Sequence, residues 1–179
     1  MSPAHPFIKS RVADLRKQID ADLFAWVSGK KHPNLEFSGS LPLVFWNNTL
    51  NDFVARITDV AFVAAREIAE KNGIDSMAAV RSASSIAKDE ARAVIYKMVD
   101  YDRKMRGKGF PKSVPEKDAS SEIKISLDFI DERESAEVDI ISVTMKTRMA
   151  ENTESWSLDR RLVVIGIVIS LIGVYLALK

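Results

Sequence analysis

Five cations gather between positions 103 and 112: Arg103, Lys104, Arg106, Lys108 and Lys112, with Gly107 and Gly109 among them. Backbone amides of a glycine-bearing turn, flanked by Lys and Arg, can cradle phosphate. This stretch is therefore the candidate contact for an anion: a lipid headgroup, a nucleotide signal or RNA. Nothing else in the chain competes with it. There is no Walker-type phosphate loop, dinucleotide fingerprint, HExxH or serine-elbow motif. There is no Cys, and the two histidines, His5 and His32, sit in proline-flanked stretches, which removes thiolate chemistry and argues against a His-based metal site. The acidic segment Asp128, Asp131, Glu132, Glu134, Glu137 and Asp139 lacks the spacing and the glycine of a calcium loop. The sequence thus predicts no catalytic residue, no cofactor and no metal ligand. The formal net charge of +1 gives no reason to expect DNA as a partner.

The elements that must position the basic stretch are helices first. Ile8, Val12, Leu15, Ile19, Leu23 and Trp26 recur at steps of three and four, which predicts an amphipathic helix over about 7–27. A second helix is predicted over about 48–71, capped by Asn47 or Asn48. Its segment Val60 to Ala65 is apolar on every side, which reads as burial all round. Asn72-Gly73 stops it. Asp75 or Ser76 then caps a third helix over about 76–103, rich in Ala and Ser, and the two should form an antiparallel hairpin.

Beyond the basic stretch the period changes to two. Ile123, Ile125, Leu127 and Phe129 alternate with polar residues, and Ile141, Val143 and Met145 do the same. This predicts strands over about 122–130 and 138–148, joined as a hairpin through the acidic segment. A third strand over about 41–46 would complete a small sheet, with Pro42 confining it to an edge. The fold class expected over residues 1–148 is α+β: three main helices with an antiparallel hairpin or three-stranded sheet.

Residues 162–178 carry no charge. As a helix they would be about 25 Å long, at the short end of what spans a bilayer. Trp156, Arg160 and Arg161 precede the run, Tyr175 sits near its far end and Lys179 follows it, as interface residues would. Gly166, Ser170 and Gly173 fall on one side, a small-residue face of the kind that lets membrane helices associate. The expectation is a single-pass tail anchor joined by a connector over 149–161. The N-terminal stretch has no secretory pattern, and basic residues precede the run, so the large domain is expected in the cytoplasm.

Together these features predict a non-enzymatic, tail-anchored membrane protein. Its cytoplasmic domain would self-associate or bind a partner protein at the lipid surface. One alternative is a conditional membrane-disrupting effector of a bacterial toxin or defence system, triggered by a phosphate-bearing signal through the basic stretch. Another is an accessory subunit of a larger membrane complex.

Overall fold

A computed structural model describes residues 3–28, 43–107 and 116–147. By its contacts the chain divides into a unit ending at Val138 and a second beginning at Asp139. Within the first unit, α1 spans Ala4–Val27, α2 spans Leu50–Asn72 and α3 spans Ser76–Arg106. A fourth helix, α4, runs over 119–147 and so continues into the second unit. A π-helical turn, Val44–Thr49, leads directly into α2.

The punctuation of these helices is local chemistry. Gly73 adopts φ 61° and ψ 25°, the left-handed conformation that closes α2. The Asp75 side chain accepts a hydrogen bond from the Met77 backbone N–H at 2.9 Å, capping α3. The Asp118 carboxylate accepts from the backbone amides of Ser120 and Ser121, each at 3.2 Å, and starts α4.

α2 and α3 are the central pair. α1 packs on both through a stripe of Ala4, Ile8, Val12, Leu15, Ile19, Leu23 and Trp26, all buried. Burial of side chains this size contributes roughly 1.5–3 kcal/mol each. α3 meets its neighbours with a row of alanines at 79, 83, 87 and 91, every one fully buried. The four-residue step lays them along one line of the helix, where the absence of bulk permits close approach. Ion pairs give the directions. Arg11 meets Glu67 and Asp22 meets Arg56, so α1 runs antiparallel to α2. Arg16 meets Glu90 and Asp20 meets Lys97, so α1 runs parallel to α3. Asp59 meets Arg133 and Arg66 meets Glu137, while Lys88 meets both Asp131 and Glu134. The 119–138 part of α4 therefore lies along α2 and α3, and the first unit is an up-down-up-down arrangement of helices.

The α+β expectation is wrong: no strand occurs among the described residues. The predicted strands 122–130 and 138–148 fall within α4, apart from Arg148, which lies outside the described residues. The alternation had another cause. Ile123, Leu127 and Ile130 step by four and three along one line of a helix, and Ile125 and Phe129 step by four along another. Two interleaved helical lines mimic a period of two over a short window. No Gly or Pro interrupts residues 116–147, so nothing breaks the helix once Asp118 has capped it. The strand over 41–46 fails as well, since Leu43 to Phe45 and Trp46 are already helical. Alternation would bury Leu43 and expose Trp46, and the reverse holds. The second helix is also not buried all round, because Val63 is 44% exposed.

The integral, single-pass, tail-anchored assignment is not carried forward. Among the described residues no helix is long and apolar enough to cross a membrane. Charged residues recur on every described helix, where a spanning segment needs a long apolar run. The stretch on which the expectation rested, 162–178 with its connector 149–161, lies outside the described residues.

Candidate interaction surface

The described cations of the basic stretch, Arg103, Lys104 and Arg106, have separate partners. Arg106 turns inward, and its Nε donates to Asp102 Oδ2 at 2.6 Å, with both side chains nearly buried. The other oxygen of Asp102 accepts from Trp46 Nε1 at 3.1 Å. Arg103 pairs with Asp100 at 3.5 Å, and the Lys104 ammonium lies 5.2 Å from the Tyr101 ring centroid. Arg103 and Lys104 are exposed on the last turns of α3, whereas Lys108 and Lys112 lie outside the described residues. Of the five predicted anion contacts, one is thus a structural partner of a buried carboxylate. Trp156, Arg160, Arg161, Tyr175 and Lys179 lie outside the described residues, as do Gly166, Ser170 and Gly173.

The Trp46–Asp102–Arg106 chain ties the start of α2 to the end of α3. The π-helical turn brings two successive aromatics inward: Phe45 and Trp46 are both buried, edge to face at 5.7 Å. Trp26 of α1 meets Phe45 at 5.3 Å and 71°. A charged network ties α1 to α3: Arg16 binds Asp20 at 3.1 Å and Glu90 at 2.8 Å, and Lys97 binds Asp20 at 2.7 Å. Burial of Asp20 works to raise its pKa, but hydrogen bonds from Lys97 and Arg16, with the charges of both, outweigh it and hold the carboxyl below its ordinary 3.8. These groups are engaged with one another, which suits a structural role.

A shallow groove of about 250 Å³ opens beside α2, lined by Arg11, Asp59, Val60, Val63, Ala64 and Glu67. The Arg11–Glu67 pair crosses it at 3.4 Å. Its few polar groups are two ion-pair partners and Asp59, itself near Arg133, so it offers little to orient a small ligand.

α4 differs from the other helices. Of its four buried side chains, Glu122, Ser126, Ile130 and Glu137, only Ile130 is apolar. Lys117 meets Glu122 at 2.9 Å, and Arg133 meets Glu137 at 3.2 Å. On the outer side Ile125 is 59% exposed and Phe129 46%. Ala136 and Glu132, also exposed, continue the line at helical steps. Asp128 lies between Ile125 and Glu132 at steps of three and four, so the two carboxylates form an edge along the apolar line. Neither carboxylate pairs with another described residue. In the second unit, the helical residues 139–147 expose Ile140, Val143 and Met145.

The sequence reading does not reveal this surface, because it places Ile125 and Phe129 on a strand of a hairpin. The missed signal was the unbroken span after Asp118. The acidic segment, read as a hairpin tip, is spread around α4, half of it turned to the bundle. Comparison with known proteins finds no family model, curated protein or solved structure that matches the chain.

Proposed function

We propose that this chain is a non-enzymatic helical interaction module that binds a protein partner through the outer face of α4. The observation that carries this reading is the exposure of Ile125 and Phe129 one helical turn apart, on a helix whose fully buried positions are mostly polar. Both side chains are about half exposed, so covering them would add about 1 kcal/mol each, roughly half of what full burial supplies. A partner helix or groove recovers that energy, and apolar faces of this kind mark protein contacts. The dispersal of Arg103, Lys104 and Arg106 supports the same reading, since it leaves no built anion site among the described residues.

A photo-crosslinking amino acid tests it. With p-benzoylphenylalanine at position 129 of the full chain in living cells, irradiation should give a discrete heavier protein adduct. The same group at Ser85, exposed on α3, should give none. Absence of an adduct from position 129, or one pattern from both positions, would overturn the proposal.

A further inference from the structure

Resting on that reading, we infer that the occupant of the α4 face is a basic amphipathic helix of another protein, rather than a second copy of this chain. The shape argues for a helix. Ile125, Phe129 and Ala136 lie along one line about 16 Å long at 1.5 Å per residue, interrupted by Glu132 between Phe129 and Ala136. A line of that width and length matches the apolar stripe of a partner helix of about three turns, whose anchors recur at three- and four-residue steps.

The charge argues for a basic one. Asp128 lies beside the apolar line and Glu132 interrupts it, and both are exposed. Unlike the other carboxylates of the first unit's part of α4, neither has an ion-pair partner among the described residues. Glu122 is engaged by Lys117, Asp131 and Glu134 by Lys88, and Glu137 by Arg66 and Arg133. Two carboxylates are therefore left to face an incoming surface, and cations beside the partner's apolar stripe would complement them. The α4 of a second copy would bring the same two carboxylates instead. Like charges across a contact disfavour it, and among the described residues of α4 in the first unit Lys124 is the one cation outside an ion pair. The outer face of α4 thus combines what attracts a cationic helix with what discourages self-pairing, the two sides of partner discrimination.

The full chain is titrated with two labelled helical peptides of about four turns. One has leucines at three- and four-residue steps with lysines elsewhere, and the other has glutamates in place of the lysines. The lysine peptide should bind saturably, and the glutamate peptide at least about tenfold more weakly. The double variant Ile125→Ser, Phe129→Ser should weaken the lysine peptide by about tenfold or more, because central apolar anchors dominate such contacts. Asp128→Asn with Glu132→Gln, which removes charge at nearly constant shape, should weaken it about three- to tenfold. Circular dichroism melting of each variant confirms that the fold is kept.

Equal binding of both peptides, or no loss in either variant, would overturn the inference. So would a full chain that sediments as a dimer and is separated by the serine variant, since a second copy would then cover the face. A crosslinked adduct from position 129 without discrimination between the peptides would leave the interaction surface standing and remove only the basic partner.

Discussion

Asp102 accepts a hydrogen bond from Trp46 Nε1 at 3.1 Å, joining residues 56 positions apart in the chain. The same carboxylate holds Arg106 at 2.6 Å. One buried side chain therefore fixes both the start of α2 and the end of α3. Asp102→Ala should cost about 3–5 kcal/mol, the range for breaking a buried charged pair. Trp46→Phe removes one donor and should cost less, about 1–2 kcal/mol. Urea unfolding of both single variants and the double variant gives the coupling, expected at more than about 0.5 kcal/mol. Strict additivity would mean that the two side chains do not act together.

Asp20 sets an acid limit on the contact between α1 and α3. Its carboxyl titrates below the ordinary 3.8 because Lys97 and Arg16 favour the ionised form over the opposing effect of burial. A group with a lowered folded pKa contributes stability that is complete above its unfolded value and is lost as pH falls through the folded one. The network is partly exposed, so the contribution should be under about 1 kcal/mol. Stability measured from pH 6 down past 3.8 should fall less steeply for Asp20→Asn than for the parent. Parallel curves would contradict this account of the network.

Gly73 stands at φ 61° with open space around its Cα. Gly73→Ala would meet no neighbour, so its cost is backbone strain alone, about 1–2 kcal/mol. Chemical denaturation should show a lower midpoint with an unchanged slope. A neutral result would mean that the turn relaxes out of the left-handed region.

The start of α4 depends on Asp118, whose carboxylate holds the amides of Ser120 and Ser121. Asp118→Ala should cost about 1 kcal/mol. The loss should be local, and amide exchange should quicken over the first turns of α4 before it changes in α2 or α3. Uniform acceleration across all four helices would show that the cap is not a local term.

The three helices before the basic stretch were legible because each carries one uninterrupted apolar line, although the cap expected at Asn47 or Asn48 falls inside the π-helical turn and α2 starts without a side-chain cap. Gly73 and Asp75 act as their residue types suggest. α4 was not legible because it has two apolar lines on different faces, with Ile130 inside and Ile125 and Phe129 outside. A short window cannot distinguish that pattern from strand alternation. The π-helical turn escaped for a tertiary reason: Trp46 is drawn inward by an acceptor 56 residues away. In the basic stretch the sequence gives charge without direction. Nothing local says that Arg106 faces Asp102 rather than solvent. The outer face of α4 could have been found by asking what a helix over 119–147 would leave uncovered.

The inverted character of α4 makes ionic strength a two-handed influence. Its attachment to α2 and α3 draws on Lys88, Arg66 and Arg133 meeting carboxylates, an attraction that dissolved ions screen. Ile125 and Phe129 answer the other way, since salts excluded from protein surfaces favour covering apolar groups. A solution rich in sulfate would slacken the hold on one side of this helix while sharpening its appetite on the other.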